Sequence, residues 1–249
     1  LRRTRRGGRR TILILSLLLV FLSVSQVFSQ EIQSIPLQVQ PLPVTLAQWK
    51  NTSDDYFSQV KTTEVGYLLW SHFPVKVYLE QPSPSSLEDN SAQAKRLETW
   101  ARVGHLAISH WSQYLPLVVV SQAEEADILI KREYPPLGGQ INPQTGLREG
   151  MRARSGQTSY ELYWSSSNQP PLLLHKMTIK IHPGLSEKAL LAALEHELGH
   201  ALGIWGHSLL PTDRLYASQS SAAQSISLRD INTLKRIYQQ PTRLGWPPS

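Results

Sequence analysis

The segment His196-Glu197-Leu198-Gly199-His200-Ala201-Leu202-Gly203-Ile204-Trp205-Gly206-His207 gathers three imidazoles and a carboxylate in a short stretch of chain. Histidines four apart on a helix project from the same face, so His196 and His200 can reach one metal ion. Glu197 sits one residue round, toward the water that fills an open coordination position. A catalytic zinc takes three protein ligands plus water, and His207, just beyond a glycine that can end the helix, is the candidate for the third. This set of groups implies metal-assisted hydrolysis with Glu197 as general base. The competing reading, two histidines on a helix by accident, has to make Gly203 and His207 coincidences as well.

Those side chains need a helix to carry them, and the flanking residues supply one. Ser186 can cap it, and Glu187 follows in the first turn, where the helix dipole favours a negative charge. Leu190, Leu191, Leu194, Leu198, Ala201 and Leu202 recur at helical spacing as one apolar stripe, while His196 and His200 fall opposite, beside small Ala189 and Ala193. Gly203 then accepts the left-handed backbone that other side chains resist, which stops the helix and turns the chain.

With these residues in place the chain resembles the metzincins and, within them, the matrixins, as a secreted member of bacterial type. Their motif is two histidines and a glutamate on a helix, then a glycine and a third histidine, and residues 196–203 are similar to it position by position. Thr212-Asp213-Arg214-Leu215-Tyr216-Ala217-Ser218 resembles the family's methionine-containing turn beneath the zinc, and residues 226–238 resemble its closing helix. Upstream, residues 111–117 and 126–130 resemble the end of the first helix and a following strand, so the resemblance covers about Gly66 to Tyr238. It implies an α+β catalytic domain, a twisted mixed sheet packed on two long helices with a C-terminal helix. It further implies one catalytic Zn2+ held by His196, His200 and His207, a protein or peptide substrate laid along an edge strand, and a pocket shaped by the loop Ala217 to Ser225.

Three departures accompany the resemblance. His207 comes four residues after Gly203 instead of three, with Gly206 interposed as a residue that can form a bulge. Leu215 stands at the methionine position, a swap of similar volume that an apolar floor tolerates at under about 1.5 kcal/mol. No segment matches the one that holds a second zinc in many matrixins, and no cysteine could serve as an inhibitory thiol, so neither a second Zn2+ nor structural Ca2+ is assigned. Tyr216 follows the turn position directly and receives no metal-binding role.

Composition bears on compartment. Six arginines between Arg2 and Arg10 precede an apolar run from Ile12 to Leu22 that weakens toward Phe28, and Val27 and Ser29 are small enough to flank a cleavage site. Residues 1–29 therefore read as a secretory signal, or as an uncleaved anchor whose apolar core is shorter than the roughly 20 residues that span a bilayer. The expected location is extracellular or periplasmic, with membrane contact only through that leader. Of the 25 Lys and Arg residues, six lie in the leader; the 19 that remain balance 19 acidic side chains, which removes the electrostatic basis for a nucleic-acid partner. The absence of cysteine excludes disulfides and thiol catalysis.

After the leader, residues 30–60 carry Pro36, Pro41 and Pro43 in a thin apolar pattern and read as a linker or short pro-segment that need not fold. Residues 61–240 form the expected catalytic domain, a monomer, and 241–249 an extended tail. Val75, Val77 and Leu79 alternate with polar neighbours as a half-buried strand. Leu97, Trp100, Ala101, Ala107, Ile108 and Trp111 mark one face of a long helix ended by Pro116, and Ile128 and Ile130 mark a second strand, giving a crossover unit. Pro135 to Gly156 reads as a solvated basic loop, and Tyr160 to Trp164 and Met177 to Ile181 as the last strands.

Two rivals stay open. One is an inactive zinc-binding or peptide-binding module on the same fold. The other is a hydrolase with a different third ligand: no glutamate follows Glu197, which leaves Asp213, a residue that otherwise reads as ordering its turn through backbone amides. His72, His105, His110, His175 and His182 have no ligand spacing and read as surface or core residues, and Trp205 reads as packing rather than as a site wall.

Overall fold

Strict alternation of apolar and polar residues in a strand means that one face is covered and the other is not. The computed structural model, which describes residues 30–81, 91–138, 140–141, 144, 148–149, 154–218 and 225–248, arranges the chain accordingly. In chain order its elements are β1 (Gln38–Val39), α1 (Val44–Gln48), β2 (Val75–Leu79), α2 (Ala92–Ser112), β3 (Leu117–Val119) and β4 (Ile128–Lys131). There follow β5 (Gln140–Ile141), β6 (Arg148–Glu149), β7 (Gly156–Trp164), β8 (Leu173–Ile181), α3 (Glu187–Ala201), α4 (Leu228–Tyr238) and β9 (Pro241–Thr242). The leader, the break at residues 82–84 and most of the loop from Ala217 to Ser225 lie outside the described residues.

The main sheet is mixed and has the strand order β3-β2-β4-β8-β7. All neighbours run parallel except β7, which pairs antiparallel with β8 from Gly156↔Ile181 to Trp164↔Leu173. In β8 the side chains of Leu173, His175, Met177, Ile179 and Ile181 are buried and those between them are partly exposed, and β2 behaves likewise. The helices therefore gather over one face, the arrangement of an α+β domain. The helix α2 buries Trp100, Val103, Gly104, Ala107, Ile108 and Trp111 and packs along α3, which also contacts β7 and β8. The crossover from β2 through α2 to β4 is present, with β3 inserted as a short edge strand that Leu117-Val118-Val119 is too brief to announce by alternation. Within Pro135 to Gly156, β5 and β6 form a small antiparallel ribbon where only loop was expected.

Residues 30–60, expected as a linker or short pro-segment that need not fold, are packed against the domain. Ile32, Ile35, Leu46 and Tyr56 are buried in the same core as the sheet and helices. The tail is also tied down: β9 pairs antiparallel with β1, and Thr242 and Leu244 are fully buried. Pro36, Pro41 and Pro43 break up any apolar period in residues 30–60, and β1 finds its partner strand about two hundred positions away, as in the pairing Gln38↔Thr242.

Candidate metal centre

The helix α3 starts at Ser186, whose backbone is extended as a cap requires although its side chain makes no capping bond. Nearly three helical turns later His196 and His200 stand side by side, with ring centroids 4.7 Å apart. In each ring Nδ1 is occupied: that of His196 donates to the Arg214 carbonyl (2.9 Å) and that of His200 to the Ile204 carbonyl (2.7 Å). A donating Nδ1–H fixes the tautomer and leaves a lone pair on Nε2. The two Nε2 atoms face each other at 3.1 Å, two lone pairs with no proton between them. A cation relieves that opposition, and tetrahedral zinc at ordinary Zn–N lengths asks for a separation of about 3.3 Å.

His207 joins them, its ring centroid 4.8 Å from that of His200 and 5.3 Å from that of His196. The three rings offer ligand atoms that all lie within 4.8 Å of one another, close enough to hold one metal ion. Burial pushes His196 down to about 4 and His200 well below its ordinary value, and burial with the Lys61 charge lowers His207, so all three are neutral imidazoles at neutral pH.

The glycines explain how His207 arrives. Gly203 adopts φ +128°, and a side chain there would also meet the Leu68 carbonyl at 2.8 Å. Gly206, the interposed residue, needs no unusual φ; it is small because a Cβ would come within 2.2 Å of the Gln59 carbonyl oxygen. The loop is pinned on both sides of it. Lys61 N donates to the Trp205 carbonyl (3.0 Å), and Ser208 N donates to the Leu215 carbonyl (2.8 Å). The extra residue is thus taken up against residues 59–61.

Glu197 points from the same helix toward β7. It is buried, and its Oε2 accepts from the Thr158 hydroxyl (2.7 Å), which also lies 3.0 Å from the Glu197 carbonyl. Gly156 makes room, since a Cβ there would stand 2.6 Å from the Glu197 Cγ. Burial pushes the carboxyl up to about 7, opposed by the Thr158 hydrogen bonds and the Arg154 charge. The group can therefore hold or release a proton near neutral pH.

Beneath the histidines, Leu215 is fully buried, with its methyls against Gly199 and close to Trp111. Asp213 is not grouped with the three histidines. Its carboxylate accepts from Ser208 Oγ (2.5 Å), Ser227 Oγ (2.8 Å) and Arg229 Nε (3.0 Å), which are side chains instead of the expected backbone amides. The amides go to Asp230, which accepts from Arg214 N (2.9 Å), Leu215 N (3.3 Å), Ser227 N (2.7 Å) and the Tyr56 hydroxyl (2.5 Å). A second buried carboxylate, Glu195, contacts His110 Nδ1 (2.5 Å) and Arg214 Nε (2.7 Å), the latter as a charge contact and not an aligned hydrogen bond. Arg214 therefore holds Glu195 with its side chain and His196 with its carbonyl.

Asp230 and Glu195 were legible in part. Ser227-x-x-Asp230 is the capping-box spacing that the structure forms, and Glu195 sits on the apolar stripe between Leu191 and Leu198, where a carboxylate demands a partner. Thr158 carries no local signal. Trp205 is half-buried and both packs and walls the site, its ring 5.4 Å from Tyr160 and 6.1 Å from His200. Of the other histidines, His72 pairs with Asp127 (3.3 Å) and His110 with Glu195, His182 accepts from Gly184 N (3.0 Å), and His105 is exposed. His175 is buried, stacked on Trp70 at 3.9 Å, and burial pushes it down to about 3.

The histidines, Glu197, Thr158 and Trp205 line a cleft of about 970 Å³. One wall is β7, which has β8 on one side and, among the described residues, no strand on the other. Comparison with family models and with curated proteins gives no match to this chain.

Proposed function

We propose that this chain is a secreted zinc metalloendopeptidase of the matrixin-like metzincin type. The observation that carries the reading is the convergence of three neutral imidazoles, two with Nδ1 fixed on backbone carbonyls, beside a buried carboxylate on the same helix. Three nitrogen ligands with an open position suit catalytic zinc, and the facing lone pairs on His196 and His200 suit a cation. When bound there, zinc supplies a Lewis acid that activates water near neutral pH and polarises the scissile carbonyl.

The chain's own groups do the rest. Glu197, held at Oε2 by Thr158, takes the water's proton on its other oxygen and later delivers it to the leaving amine, a role worth roughly 10²–10⁴-fold. The unpaired side of β7 offers backbone N–H and C=O groups to an extended peptide, which aligns the bond to be cut beside Glu197. Two features support the reading despite the departures at these positions: Leu215 is packed under the helix against Gly199, and the loop around Gly206 is pinned where His207 joins the other two histidines.

The test pairs metal content with turnover. Purified protein is expected to hold one zinc and to hydrolyse a quenched peptide library, and Glu197→Ala to keep the zinc while losing at least about 10²-fold in rate. Zinc held by the wild type with no peptide cleaved would identify the inactive module instead.

A further inference from the structure

The rim of the cleft is cationic. Lys61 and Arg154 line it, both exposed, and neither pairs with a carboxylate among the described residues. The carboxylates lining the cleft there are Glu197 and Asp213, both buried, and Asp213 is already engaged by three donors. Arg214 is neutralised by Glu195, and Glu64, near Lys61 in sequence, meets the Tyr160 hydroxyl (3.5 Å) and does not line the cleft.

The two cations come to the cleft from different segments, the Arg154 charge acting on Glu197 and the Lys61 charge on His207. Arg154 lies just before Gly156, the residue of β7 that meets Glu197. Further along β7, Tyr160 stands beside Trp205, whose carbonyl holds the Lys61 amide. At about 3.3 Å per residue, the stretch from 154 to 160 covers roughly 20 Å, the length of about six residues of an extended peptide. Glu197 stands against Gly156 on the Arg154 side, and His200 lies 6.1 Å from Trp205, whose carbonyl holds the Lys61 amide.

We infer that the cleft selects peptides with acidic side chains on both sides of the scissile bond, Arg154 reading one side and Lys61 the other. This rests on the metallopeptidase reading of the same site and adds its substrate class. Both heads are solvated, so each contributes a modest preference that salt screens.

Binding and cleavage are measured separately. A labelled peptide with Glu and Asp flanking its centre, and its Gln and Asn twin, are titrated into zinc-loaded Glu197→Ala protein. The acidic peptide is expected to bind roughly 3- to 10-fold tighter at low salt, with the gap closing toward ~0.5 M salt. Lys61→Glu and Arg154→Glu should each abolish the preference on one side of the peptide, and the wild type should enrich acidic residues when it cleaves a randomised library. Equal binding of the twins, or a preference that survives both charge reversals, overturns the inference and leaves the metallopeptidase standing. Acidic preference in binding, with no cleavage by the wild type, keeps the ligand class and overturns the peptidase.

Discussion

In the proposed mechanism Glu197 has to be a base in a place that discourages its charge. Burial carries it up to about 7, whereas the ordinary value of such a carboxyl is 4.5, so the metal-free native protein keeps its proton to higher pH than the unfolded chain does. A group raised on folding contributes stability that is complete below the unfolded value and is lost as pH rises through the folded one. Metal-stripped wild type should therefore lose stability between about pH 4.5 and pH 7 on this account. His196 titrates the other way: its lowered value costs stability as pH falls from 6.5 toward about 4. Comparing the wild type with Glu197→Gln isolates the carboxyl, because the histidines are common to both. The melting temperature of the metal-stripped variant should rise relative to wild type between pH 5 and pH 8. A gap that stays constant across that range would show that the carboxyl is no harder to ionise in the fold than in the unfolded chain.

At the scale of elements, the place of His207, the proposed third ligand, depends on a contact between two loops. A side chain at position 206 would meet the Gln59 carbonyl carbon at 2.9 Å and Val60 Cα at 3.0 Å as well as the carbonyl oxygen, and backbone atoms cannot swing aside as a flexible side chain does. Gly206→Ala should therefore shift the loop that carries His207, at about 1–3 kcal/mol of stability. Zinc affinity, measured by competition with a chelator, should fall roughly 10-fold or more, while His196 and His200 remain as they are. Unchanged affinity would mean that His207 does not hold the metal. Why the loop takes this path was not legible in the sequence. His196, Glu197 and His200 could be read because four-residue spacing on a helix is a local fact, and Gly203 because a helix stop is local too. The amphipathic face of α2 and the alternation in β2 were readable for the same reason, whereas β8 was read only from Met177 and extends back to Leu173. Thr158, Tyr56 and Gln59 act across the fold, and nothing in their own neighbourhoods distinguishes them from other loop and strand residues.

For the molecule as a whole, the question is whether residues 30–60 are a detachable preface or part of the domain. Their composition suggests the former, with prolines and few apolar residues. Their burial argues for the latter: Ile32, Ile35, Leu46 and Tyr56 are each at most 3% exposed. Full burial of one such side chain stabilises by roughly 1.5–3 kcal/mol, so four together rival the ~5–15 kcal/mol that holds a typical domain. Polar contacts add to this. Trp49 Nε1 donates to Asn232 Oδ1 (2.8 Å), Lys235 Nζ to the Trp49 carbonyl (2.6 Å), and the Tyr56 hydroxyl to Asp230 Oδ1 (2.5 Å). Through Asp230 the segment reaches the amides of Arg214 and Leu215, and the Arg214 carbonyl in turn holds His196. A chain beginning at Lys61 is therefore expected to melt at a much lower temperature than one beginning at Gln30, or not to fold cooperatively, and to lose zinc with its fold. A milder variant separates the two contributions. Tyr56→Phe keeps the ring in the core but leaves Asp230 short of one donor, at about 1–3 kcal/mol, and should lower the melting temperature without removing the metal. If the chain from Lys61 onward instead folded and bound zinc as well as the longer one, residues 30–60 would be a removable segment resting on a domain complete without it.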